Sequence, residues 1–246
     1  MRSPRSSRPA AVAGGLAAAV LAGAVLAGAT PRAAAAQVMG IPVAQSPFAG
    51  RPFAVALDGG SASDDIRVGG LAVAAHRPGG RLVATLGAGR VRGFEGPRTT
   101  YGGRLAFLLR FGASGALGVA PFAGYGRMQG GDSARVAQGG DLRQAGAIAV
   151  VPAGVGIGYR RLVAGRAVVA HVTPQAQWWR RAEAAGLPSA SAWYGRAAVG
   201  ADVAVTTQLG LSVAYEGGGS AGDVTAGPRQ GVVGLALSYA PGRRAR

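Results

Sequence analysis

The stretch Tyr101-Gly102-Gly103-Arg104-Leu105-Ala106-Phe107-Leu108-Leu109-Arg110-Phe111 decides the fold. Tyr101, Leu105, Phe107, Leu109 and Phe111 lie on one parity, while Gly102, Arg104, Ala106 and Arg110 lie on the other. Side chains of a β-strand alternate between its two faces, so this strand has an apolar face with an aromatic ring at each end and a light, basic face. Ten steps at about 3.3 Å, tilted by about 40°, rise roughly 25 Å, the height of the lipid-facing band of a transmembrane β-barrel.

The same rhythm recurs on either side. Strands are predicted at roughly 51–58, 66–76, 80–92, 101–112, 114–128, 145–160, 165–180, 191–206, 207–217 and 230–240. The links between them fall into two classes. Residues 77–80, 112–114, 161–165 and 206–207 make short turns, whereas 58–65, 93–100, 129–144, 181–190 and 218–229 make longer polar links. That order fits an up-and-down barrel with tight turns on the periplasmic side and loops outside. The fold class expected is therefore all-β: an antiparallel up-and-down transmembrane β-barrel of about ten strands, with eight and twelve as the neighbouring even counts. Ring placement agrees. On the apolar parity, Tyr101, Tyr125, Trp178, Trp193 and Tyr215 sit at loop ends, and Phe53, Phe111, Tyr159 and Tyr239 at turn ends. Amphipathic rings favour the two membrane interfaces.

Export is written at the N-terminus. Arg2, Arg5 and Arg8 precede an uncharged stretch from Ala10 to Ala29, and the small-residue run Ala33 to Ala36 follows. This order reads as a signal peptide over residues 1–36. Residues 37–50 then form a periplasmic segment, 51–240 the barrel and 241–246 a basic tail. Loss of Arg2, Arg5, Arg8 and Arg32 lowers the formal charge from +16 to +12, all of the positive charge being Arg. Export and the lack of a basic patch interleaved with aromatics argue against nucleic acid as partner. The lipid bilayer, and the phosphates of lipopolysaccharide held by Arg forks, are the partners expected. The chain has no Cys, so neither a disulfide framework nor a thiolate metal site can form.

The run Gly234-Leu235-Ala236-Leu237-Ser238-Tyr239 resembles the C-terminal assembly signal of bacterial outer-membrane barrels. Together with the strand pattern from about 51 to 240, it makes the chain similar to small outer-membrane barrels of the OmpA or OmpX kind. The resemblance implies insertion into the outer membrane by machinery that recognises strand 231–239. One departure is that Pro241 to Arg246 extends beyond the terminal aromatic residue. The rival is a soluble periplasmic lipocalin-like barrel, in which the apolar parity would line the lumen.

With the apolar parity outward, the lumen-lining polar candidates are Arg104, Arg110, His171, Gln175, Arg196, Asp202 and Glu216, joined by Thr173, Gln177, Tyr194 and Ser212. Hairpin registers place Gln175 near Arg196, Asp202 near Ser212, and Glu216 about one pair from Arg196. Such a set can be an internal network that stiffens the barrel or a polar path favouring small anions. Light inward residues, among them Gly154, Gly156 and Gly158, leave both open.

No catalytic residue is assigned, because neither His76 nor His171 has an acidic neighbour along the chain. No metal or cofactor motif is present either, and no cofactor is expected. Seven acidic residues, Asp64, Asp65, Glu95, Asp132, Asp141, Glu183 and Asp223, fall in predicted outer loops or at their edges. The function expected is a non-enzymatic envelope barrel with a structural role and a narrow small-solute or anion passage. The alternative is adhesion or recognition through the long loops.

Overall fold

The computed structural model describes residues 53–63, 66–76, 80–92, 97–112, 115–130, 146–184, 186–219 and 232–241. Among them there is no helix. The strands are β1 (Phe53–Ser63), β2 (Ile66–His76), β3 (Leu82–Arg92), β4 (Arg98–Phe107), β5 (Leu109–Phe111), β6 (Leu117–Met128), β7 (Ile148–Val163), β8 (Arg166–Arg181), β9 (Ala190–Ala204), β10 (Leu209–Gly218) and β11 (Val232–Tyr239). β4 and β5 both pair with β6 and act as a single stave interrupted at Leu108, which gives ten staves. Every adjacent pair is antiparallel. Pairing of β1 with β11, from Val55↔Tyr239 to Ser61↔Val233, closes the sheet and leaves no edge strand to template aggregation.

Alternation becomes a division between outside and inside. On β3 and β4 the outward Leu86 and Leu105 are 69% and 54% exposed, whereas the inward Val83 and Ala106 are 6% and 4% exposed. The apolar parity faces out, the reverse of the arrangement that a lipocalin-like barrel requires. All the predicted interface aromatics lie on the outward parity. Trp178 is directly opposite Trp193, and Phe111, Leu117 and Tyr159 form one row near the turn end.

The first hairpin differs from the sequence expectation. Residues 58–65 were predicted as a long link, but β1 continues to Ser63 and β2 begins at Ile66. Gly59, Gly60 and Ser61 look like turn residues in isolation. Here they have ladders on both sides, Gly59 opposite Gly69 and Leu235, and Gly60 opposite Val68 and Gly234. Backbone pairing on two flanks outweighs local turn preference. At the other end of the barrel, β7 and β8 are joined by Ala164 and Gly165, whose φ values of 48° and 75° are those of a two-residue hairpin turn matching the sheet twist. Most of the loops expected to carry recognition, including 131–145 and 220–231, lie outside the described residues, as do the proposed signal peptide, periplasmic segment and most of the basic tail.

At the break between β4 and β5, Leu108 keeps the inward parity of Arg104 and Ala106. Its side chain is inward and buried beside Val83 and Ala120, and its N–H donates to the Arg81 carbonyl at 2.6 Å. Burial of such a side chain is worth about 1.5–3 kcal/mol.

Candidate functional site

The lumen has two unlike halves, and the difference follows from side-chain size. Eight staves enclose an interior that side chains just fill, so a ten-stave barrel is closed only where its inward residues are large. In the loop half they are. β8 presents Thr173, Gln175, Gln177, Trp179 and Arg181 inward at successive alternate positions, all buried. Met128 on β6, Ile148 and Val150 on β7, and Val91 on β3 complete the filling, each no more than 3% exposed.

Glu216 is the centre of this half. Its Oε1 accepts from Arg196 Nε at 2.5 Å and from Gln177 Nε2 at 3.3 Å, while its Oε2 accepts from Gln175 Nε2 at 2.9 Å. Trp179 Nε1 donates to Gln177 Oε1 at 3.0 Å, which fixes the orientation of that amide. Arg196 Nη1 also donates to the Gly219 carbonyl at 2.7 Å. The register builds this cluster directly, since Gln175 faces Arg196 across β8 and β9 and Glu216 faces Ala198 across β9 and β10. A buried carboxylate holding one guanidinium and two amides has its acceptors well satisfied, as its low-dielectric setting requires. Together these side chains crowd the loop half of the lumen.

The turn half is open. Ala54, Ala56, Ala72 and Ala74 face inward from β1 and β2, where larger residues would be needed to fill the space, and a cavity of about 500 Å³ remains. Asp58, His76, Arg104, Arg110, Arg160, Asp202 and Ser212 line it. Arg104 lies over the Phe122 ring with its guanidinium carbon 4.8 Å from the centroid, a cation–π arrangement that holds it against the wall.

Beside Asp202, which lines the cavity, lies the buried imidazole of His171. Nε2 of His171 is 3.9 Å from Asp202 Oδ1, beyond hydrogen-bond length. The ring fits because position 200 is Gly: a Cβ there would stand 2.6 Å from His171 Nε2 and 2.8 Å from the Val213 carbonyl. An acidic neighbour for His171 therefore exists across the sheet, where the sequence reading found none along the chain. The arrangement is nonetheless wrong for nucleophilic relay. Asp202 faces Ser212 on β10, so the carboxylate stands between hydroxyl and imidazole, whereas the imidazole must touch both. Among the described residues no three His, Asp or Glu side chains are grouped as metal ligands.

The polar candidates named from the sequence lie on the inward parity and divide between the halves: Gln175, Arg196 and Glu216 in the filled part, Arg104, Arg110 and Asp202 on the cavity wall, and His171 beside Asp202. Trp179, Arg181, Asp58 and Arg160 join these on the inward parity without having been expected there from the sequence. Trp179 and Arg181 continue the inward parity of Gln175 and Gln177, so extending that count by two steps would have found them. Asp58 was hidden by the misplaced end of β1.

The fold and lumen define a closed antiparallel barrel with an apolar exterior and a polar, partly filled interior. No family model and no curated protein matches the sequence. Among solved structures, the chain is similar to a KdgM porin, at 8% identity and a TM-score of 0.35 over 77% of this chain and 99% of that one. It is likewise similar to a NanC porin, at 8% identity and a TM-score of 0.38 over 76% of this chain and 100% of that one.

Proposed function

We propose that the chain is an integral barrel of a Gram-negative outer membrane and serves the envelope as a non-enzymatic structural element, with lipopolysaccharide as its lipid partner. The observation that carries this reading is the continuous outward display of large apolar side chains. Leu57, Leu86, Leu105, Leu211 and Leu235, on five different staves, are each between 47% and 69% exposed. A contiguous apolar belt of this kind is intolerable in water and is the lipid-facing band of a membrane barrel. Fractionation tests it. The protein is expected in the outer-membrane fraction, with unheated samples migrating differently from boiled ones on gels; recovery from the soluble periplasm would overturn the reading.

A second reading, passage of small solutes, is favoured by the turn-side cavity with its three arginines. For this path to conduct, the cluster around Glu216 must yield. In planar bilayers the structural reading predicts silence from folded wild-type protein and discrete anion-favouring openings from Trp179→Ala, which removes the largest fully buried side chain of the closed half. Regular openings from the wild type would establish passage as a native activity.

A further inference from the structure

The outward wall of β6 to β10 carries a feature that the lumen does not explain. Arg127, Ala149, Arg180 and Ser191 occupy one row of the register, at the loop end of four neighbouring staves. Both arginines are exposed and on the outward parity, separated by two strand spacings, roughly 10 Å, with only the methyl group of Ala149 between them. Among the described residues neither is in an ion pair. In the next row toward the turns, Trp178 and Trp193 face each other.

Below the two indoles the wall recedes. Ala153, Ala176 and Gly195 form the following row, and with Pro174 and Ala197 they floor an outward groove. Tyr215 makes its side wall, its ring lying over Gly217, where a Cβ would stand 3.2 Å from the phenol oxygen. From the loop end downward, this face offers two guanidiniums, an indole pair and an apolar channel running into the lipid-facing band.

We propose that this face is a binding site for one phosphorylated acyl lipid of the loop-side leaflet, its phosphate held by Arg127 and Arg180 and an acyl chain lying in the groove over Gly195. The inference rests on the membrane reading above and deepens it by placing the lipid. Charge complementarity selects the headgroup, because a planar guanidinium pairs bidentately with phosphate and two of them flanking Ala149 can share it. The groove selects a lipid over a free anion, since an acyl chain buries apolar surface there that inorganic phosphate cannot.

The test uses the refolded full chain in phosphatidylcholine nanodiscs doped with bis-phosphorylated lipid A, the lipid retained after detergent extraction being counted by native mass spectrometry. Wild type is expected to retain lipid A, and Arg127→Gln with Arg180→Gln to lose about tenfold in retention. Gly195→Leu is expected to lose retention with both arginines intact; nothing lies within 4 Å of a Cβ at that position, so the change fills the groove without strain. Arg67→Gln with Arg92→Gln removes two outward arginines that face each other across β2 and β3, away from the groove, and is expected to retain lipid as wild type does. Competition by inorganic phosphate should have no effect. Equal retention in the Arg127/Arg180 variant, equal loss in the Arg67/Arg92 variant, unchanged retention in Gly195→Leu, or displacement by phosphate would each overturn the site. Heat-dependent gel migration of every sample separates these outcomes from failure of the barrel to insert, which would instead count against the membrane reading.

Discussion

Glu216 shows what one buried charge does in this barrel. Its carboxylate accepts from Arg196, Gln175 and Gln177, so truncation leaves a guanidinium and two amides without their acceptor. Removing one member of a buried pair costs about 3–5 kcal/mol, although the intact pair contributes little net stability against apolar isosteres. Glu216→Ala is therefore expected to lower the urea midpoint of the micelle-bound barrel by an amount in that range, and Glu216→Leu with Arg196→Met to recover most of it. An unchanged midpoint in Glu216→Ala would show that the cluster is not the keystone of the closed half. The sequence made much of this cluster legible, because Gln175, Arg196 and Glu216 follow from parity and simple hairpin register. The His171–Asp202 proximity lies in the same β8–β9 register, two residues beyond the Gly200 that His171 faces, and is missed when acidic neighbours are sought only along the chain.

At the scale of the strand, the two parities experience different solvents. Leu105 sits near the middle of its stave and faces out, while Arg104 beside it faces the lumen. Arg placed at the bilayer midplane costs about 2–4 kcal/mol. Leu105→Arg is accordingly expected to reduce folding stability in phospholipid vesicles by that amount; a loss below 0.5 kcal/mol, on the order of a tolerated surface change, would contradict an outward lipid-facing Leu105. Strand existence was readable because period-two alternation is a local property of the chain. Strand ends were less so: Gly59 to Ser63 have the composition of a turn, and only their partners on β2 and β11 make them a strand.

The barrel couples an apolar exterior to a lumen crowded by large side chains toward the loops and hollow toward the turns. The contrast follows from where the large inward residues fall: Trp179, Met128 and Arg196 toward the loops, alanines of β1 and β2 toward the turns. The sequence revealed that the inward parity was light, but not that its heavy members collect in one half, because that requires knowing the register around the full ring. The claim beneath every other is that one parity meets lipid and the other does not. The chain's lack of cysteine allows it to be tested without altering a native residue elsewhere. Single-cysteine variants at each position from Gly102 to Arg110, refolded into phospholipid vesicles, can be labelled with a membrane-partitioning maleimide and with a charged, water-soluble one. The account predicts lipid-phase labelling at 103, 105, 107 and 109, and none at 102, 104, 106, 108 and 110, where only the aqueous reagent can react, limited by lumen packing. The reverse alternation, or labelling without period two, would contradict it.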